Sequence, residues 1–171
     1  MERTCVGCRQ RSQRADLLRI VSKSKVLAFD VNENAQAVCA ALAAKNKVQD
    51  QVMVGGLFEP SKFEEYSGEK VLVMCDIEGA EDQLLNPQLS SGLANMDLIV
   101  ESHECLKPGI TRELINRFEK THQITLVQDN GQRQLSNMPQ WFNNLPNLDQ
   151  LLAVWEWRSG PTPWLVMKSK V

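Results

Sequence analysis

Three short acidic clusters carry most of the chemistry open to this sequence. They are Asp30, the run Asp76-Ile-Glu78-Gly79-Ala-Glu81, and the run Glu101-Ser-His103-Glu104. A carboxylate that ends an apolar run can accept hydrogen bonds from a ribose diol. Such a residue about 20 positions after a glycine turn marks many nucleotide sites. Asp30 lies 23 positions after Gly7, close to that spacing, although it could equally cap the turn that follows it. Asp76 and Glu78 allow two jobs. They could bind a metal or a substrate hydroxyl, or Asp76 could cap the next helix while Glu78 faces solvent. Gly79 permits a tight turn under either reading. Glu101 and His103 are alternate residues, which face one way along a strand, and a carboxylate that orients an imidazole makes a general-base pair.

The elements that must position these residues alternate between two periods. Short apolar runs at Lys25–Asp30, Gln51–Val54, Lys70–Asp76, Met96–Glu101, Gln123–Val127 and Pro163–Met167 predict strands. Between them, Ala35, Val38, Cys39 and Leu42 fall on one helical face, as do Leu114, Ile115 and Phe118. Thr111 is the expected N-cap of the helix over 112–121, and Asn147 of a last helix bearing Leu148, Leu151, Leu152 and Trp155. The Asn- and Gln-rich stretch 129–146 predicts a loop. All four tryptophans (Trp141, Trp155, Trp157, Trp164) lie in the last 31 residues, where packing against a sheet edge is expected. Strand–helix alternation predicts an open, mostly parallel α/β sheet. Right-handed crossovers put every carboxyl end on one edge, where such sheets bind ligands.

The 171 residues suit one well-buried domain, but their charge is divided. Residues 1–25 carry a net +5 and the remainder −7, so the overall −2 conceals a basic head on an acidic body. The head holds Arg3, Arg9, Arg11, Arg14 and Arg19, which could contact phosphates without reading sequence. A true nucleic-acid module would continue its basic and aromatic residues past position 25, and this chain does not. No apolar run reaches membrane-spanning length and none of signal-peptide length follows the basic start, so a cytoplasmic protein is expected. Five cysteines, mostly in apolar segments, fit buried reduced thiols. The lone pair Cys5 and Cys8 has no second pair at zinc-ligand spacing.

Taken in order, KVLAFDVNENAQAVCAALAAKNKVQDQVMVGG, VLVMCDIEGAEDQLL, MDLIVESHE and PTPWLVM resemble a class I S-adenosylmethionine-dependent methyltransferase of the FkbM-like kind, over residues 25–169. The resemblance implies a Rossmann-like, mostly parallel sheet with a C-terminal antiparallel strand. It implies S-adenosylmethionine as cofactor, held through Gly7, Asp30 and Asp76, with Asp30 on the ribose. It further implies Glu78 toward a small-molecule or sugar-like acceptor, and His103, steered by Glu101, as the base for O-methylation. No metal is required by that scheme, although the acidic strand ends could hold a divalent ion. Asp76, Glu78, Gly79 and Glu81 match the family's DxEGxE element, and Glu101 with His103 its ExH ending. The start departs from the pattern. Val6-Gly-Cys-Arg-Gln-Arg-Ser12 holds one glycine where the family has two or three. A missing or degenerate first strand and glycine loop are therefore expected, and with them a truncated, inactive form as one outcome. Residues 2–11 and 16–21 are instead similar to the opening of the YlxR family. That similarity implies a separate basic segment over 1–24, ahead of a methyltransferase-like domain over 25–171, and an alternative reading as an RNA-binding protein.

Overall fold

Five-residue apolar runs are too short to bury themselves as helices, and a buried parallel sheet is where they come to rest. The computed structural model describes residues 4–8, 24–129, 138–155 and 158–171. Among these, seven strands form one sheet: β1 (Thr4–Cys8), β2 (Lys25–Phe29), β3 (Val52–Gly55), β4 (Val71–Cys75), β5 (Asp97–Glu101), β6 (His122–Val127) and β7 (Trp164–Ser169). Their order is β3-β2-β1-β4-β5-β7-β6. The first five are parallel, and β7 runs antiparallel between β5 and β6. This is the expected Rossmann-like sheet with an antiparallel C-terminal strand.

The expectation for the first strand left it missing or degenerate; it is present. Thr4–Cys8 lies at the sheet centre and pairs with β2 on one side and β4 on the other. Both of its edges receive hydrogen bonds from neighbours, so five residues with a glycine among them suffice. The expected glycine loop beyond Cys8, the helix over 14–21 and Arg9, Arg11, Arg14 and Arg19 lie outside the described residues.

Helices α1 (Glu33–Lys45), α2 (Glu81–Leu84), α3 (Ile110–Phe118), α4 (Gln140–Asn143) and α5 (Asn147–Ala153) connect the strands, with short 3-10 segments at Gln49–Gln51, Pro60–Tyr66 and Ser91–Asn95. The larger core cluster joins Leu27, Val73 and Leu98 of the sheet to Phe63 and to Leu114 and Phe118 of α3. A smaller one sets Cys39 of α1 against Val26 and Ala28. Cys39 and Cys75 are buried, and Cys105 is half-buried. No helix among the described residues is long and apolar enough to cross a membrane.

Three local expectations are corrected. Thr111 is not the N-cap of α3. Gly109 holds that position with φ 91°, and Glu104 reaches over to accept from the amides of Gly109 and Thr111 and from Thr111 Oγ1. A carboxylate facing the first turn satisfies several orphan amides at once, where the threonine could take only one. Pro146 rather than Asn147 caps α5, because the helix already begins at the asparagine. Trp141 and Trp155, in the β6–β7 connection that includes α4 within the expected loop, are exposed rather than packed on the sheet, and Trp157 lies outside the described residues.

His122, at the start of β6, is buried, with Nδ1 2.9 Å from Thr121 Oγ1 and Nε2 donating to the carbonyl of Met96 at 2.8 Å. Burial holds its pKa below the usual imidazole range and Lys170 pushes the same way, against the Met96 hydrogen bond and Asp97. A histidine with a depressed folded pKa contributes stability above its unfolded pKa, and that contribution is lost as pH falls. Urea unfolding of the wild type should therefore show declining stability as pH drops below about 6.5, with a shallower decline in His122→Gln. Equal slopes in the two proteins would exclude this residue as a source of acid sensitivity.

Candidate active site

The carboxyl ends of β2, β3 and β4 surround a cleft of about 680 Å³, lined in part by Asp30, Val31, Leu57, Phe58, Ile77 and Leu84. Asp30 follows β2 directly. Its Oδ1 accepts from the amide of Asn32 at 2.9 Å, and its carbonyl accepts from Gln36 Nε2 at 2.7 Å. It therefore braces the turn into α1 and is also among the residues that line the cleft. Asn32 Oδ1 then caps α1 by accepting from the amides of Asn34 and Ala35. The Asp30 amide is tied to Gly55 O at 3.1 Å, and Gly55 is where Phe29 comes closest. A Cβ there would meet the Phe29 ring at 2.5 Å, so only glycine fits without moving the cleft floor. Gly7 lies one residue from the end of β1, paired with Ala28 and Met74, between the strands that deliver Asp30 and Asp76.

A second, polar group sits where β4 and β5 end. Asp76, Glu81, Glu101 and His103 are all at most 4% exposed. The turn after β4 is forced into the left-handed region, with φ 54° at Glu78 and 96° at Gly79. Gly79 adopts that conformation readily, whereas Glu78 does so under strain. The turn swings Glu81 inward, and Glu78 remains exposed at the rim. Glu81 Oε1 accepts from the amide of Gly79 at 3.0 Å and lies 2.6 Å from His103 Nδ1. A carboxylate only accepts, so the ring proton is on Nδ1 and the lone pair of the neutral ring is on Nε2. That nitrogen lies 3.5 Å from Asp76 Oδ1.

The sequence reading made Glu101 the partner that steers His103, and the structure gives that place to Glu81. Regular strand geometry stops at Glu101, so alternation no longer sets the direction of residue 103. Glu101 instead accepts from Arg158 and, at 2.9 Å, from Thr162 Oγ1, while Arg158 also donates to Thr162 at 2.6 Å. Asp76, Glu101 and His103 are nevertheless brought together, each offering a ligand-type atom within 4.8 Å of the others. Burial pushes the Asp76 carboxyl up to about 7, with the neighbouring Glu101 adding to the rise and His103 and Arg158 opposing it. Burial pulls the His103 imidazole down, but hydrogen bonding and charge from Glu81, with the charges of Glu101 and Asp76, leave it above its usual range.

Sequence reasoning did not assign a role to Glu81, Arg158 or Thr162. The signal for Glu81 was available as the last acid of the DxEGxE element. None was available for Arg158 and Thr162, which come from a connection about 60 residues further along the chain.

No protein-family model matches this sequence, and no curated protein does. Solved structures do. The precorrin-6y C5,15-methyltransferase of Geobacter metallireducens superposes with a TM-score of 0.63 at 8% identity, over 99% of this chain and 80% of that one. The chain has the fold of class I S-adenosylmethionine-dependent methyltransferases. An O-methyltransferase from Bacillus cereus, solved with S-adenosylhomocysteine, gives a TM-score of 0.60 at 14% identity, over 99% of this chain and 74% of that one. The O-methyltransferase TomG of Streptomyces achromogenes, solved with S-adenosylmethionine, gives 0.59 at 9% identity, over 98% and 72%. In this methyltransferase fold the cleft and the polar cluster both occupy the carboxyl edge of the sheet, where ligands of open α/β sheets bind.

Proposed function

We propose that this protein transfers the methyl group of S-adenosylmethionine to an oxygen of a small-molecule or sugar-like acceptor. The observation that carries this reading is the pairing, along one sheet edge, of an apolar cleft bearing Asp30 with a buried polar cluster around His103. Asp30 would hold the ribose hydroxyls, and the apolar walls of Val31, Phe58 and Ile77 would take the adenine. Gly7, near the end of the central strand, leaves room for the cofactor's backbone-facing side. Asp76, which precedes Ile77 of the cleft wall, stands between cofactor and acceptor. Glu78, at the rim of the strained turn, faces the acceptor.

In the reaction the acceptor oxygen bonds to the methyl carbon as the carbon–sulfur bond breaks. The sulfonium becomes a neutral thioether, and the hydroxyl proton passes to Nε2 of His103. The protein's part is to align oxygen, methyl and sulfur and to deal with that proton. His103 and Glu101, together with Asp76, are the residues assigned to the oxygen side, and Glu81 fixes the ring that faces it. Support for oxygen as the nucleophile comes from this acidic, imidazole-bearing end and from likeness to two O-methyltransferases of the same fold.

Isothermal titration of the full chain with S-adenosylhomocysteine tests the cofactor assignment. One saturable site per chain is expected. A folded sample that gives no heat at millimolar ligand would overturn the reading.

A further inference from the structure

We infer that the surface formed by α4 and α5 is where two copies of this chain pair about a two-fold axis. The pairing is independent of the methyl-transfer reading and rests on three features of residues 138–155.

The first is an apolar helix face with nothing against it among the described residues. Leu148, Leu151 and Leu152 fall at i, i+3 and i+4 of α5, and they are between 47% and 66% exposed. That spacing is how a helix hides apolar side chains against a neighbour. Yet α5 has no buried residue, and neither has α4, whose Trp141 is 65% exposed. Gln150 Nε2 of α5 donates to the carbonyl of Leu145 at 2.8 Å, which ties α5 to the segment that follows α4.

The second is area. Trp141, Leu148, Leu151 and Leu152 leave roughly 500 Å² of apolar surface in water, near the upper end of the largest patch on an ordinary monomer. The exposed amides of Asn143, Asn144 and Asn147 lie between them in the chain. Together these side chains approach the surface that one partner gives to a standard interface, about 800 Å². An apolar centre with a polar rim is also how such interfaces are built.

The third is charge. Asp149 is the one charged residue in 138–155. A lipid surface attracts helices that carry lysine and arginine on their polar face, and this stretch has neither. A strongly charged foreign partner would find nothing to match. Two copies of the same surface, in contrast, meet without like charges at the centre, because Asp149 lies off the leucine face. Two-fold pairing of identical surfaces is the commonest form of assembly.

The contact reaches toward the polar cluster. Trp155, half exposed just beyond α5, donates its ring N–H to the carbonyl of Arg158 at 3.2 Å, and Arg158 donates to Glu101. A second copy seated on α5 braces the segment that brings Arg158 to Glu101.

Sedimentation velocity and light scattering of the full chain, between about 1 µM and about 100 µM, test the pairing. Twice the monomer mass is expected at the upper end. Leu151→Glu should weaken association by roughly a hundredfold or more, because it places a charge at the apolar centre. The same change at Met53, exposed on the edge strand β3, should alter it by less than about threefold. Should Leu151→Glu fail to fold by circular dichroism, the wild type still decides. Its tryptophan emission should shift to the red on dilution, as Trp141 returns to water, and Trp141→Phe should reduce that shift.

A folded chain that stays monomeric at the highest concentration overturns the inference, whether or not it binds phosphatidylcholine vesicles. A dimer that survives Leu151→Glu, or that Met53→Glu dissociates instead, also overturns it, since the contact then lies elsewhere. So does emission that stays constant while dilution halves the mass.

Discussion

Glu81→Ala should unfold at substantially lower urea concentration than the wild type, by about 3–5 kcal/mol, the usual cost of removing one partner of a buried charged pair. Glu81 has no exposed surface, and its Oε1 serves both His103 Nδ1 and the Gly79 amide. Its loss strands two donors and opens a cavity beneath the turn that carries Glu78. Glu81→Gln keeps an acceptor oxygen and should cost much less. Nitrogen-15 spectra of the histidines supply a second measure that a general loss of stability would not move. The wild-type His103 ring should carry its proton on Nδ1 when neutral, and Glu81→Ala should show a mixture of tautomers. Unchanged stability and an unchanged tautomer would together mean that the pair does not form.

Asp30→Ala should weaken S-adenosylhomocysteine roughly tenfold to a hundredfold by calorimetry, equivalent to about 1.5–3 kcal/mol for hydrogen bonds to a charged group. Because Asp30 also braces the turn into α1, the comparison requires Asn32→Ala as a partner variant. Asn32→Ala loosens the same turn and removes the cap of the same helix while leaving the Asp30 carboxylate in place, so its affinity should change by less than threefold. Equal losses in the two variants would assign the effect to the turn and remove Asp30 from the cofactor.

Where the site residues lie was legible because strands are simple objects. A parallel strand that ends on an acid delivers that acid to the sheet's carboxyl edge whatever else the fold does, and this brings Asp30, Asp76 and Glu101 to one side. What alternation could not supply was the contact made by His103. Alternation predicts direction only while strand geometry lasts, and β5 stops two residues earlier. The central strand was hard to see for a related reason. Thr4–Cys8 is held by two neighbours distant in sequence, so its own residues need little strand preference. Arg158 and Thr162 reach Glu101 from the far side of the longest connection in the chain. Nothing in their local sequence distinguishes them from other polar residues of a loop.

The place of β1 and β7 in the sheet has a consequence for how the chain comes together. Residues 4–8 wait for residues 71–75 before both edges of β1 are occupied, and β5 and β6 have no common neighbour until residues 164–169 arrive between them. Contacts this distant in sequence must close large loops before they return any stabilisation, which slows assembly. Among the described strands, the one earliest in the sequence lies at the sheet's centre and the one latest in the sequence completes its interior. The polar cluster inherits that timetable. Glu101 acquires Arg158 and Thr162 only when the β6–β7 connection is in place, so the site and this side of the sheet are completed together.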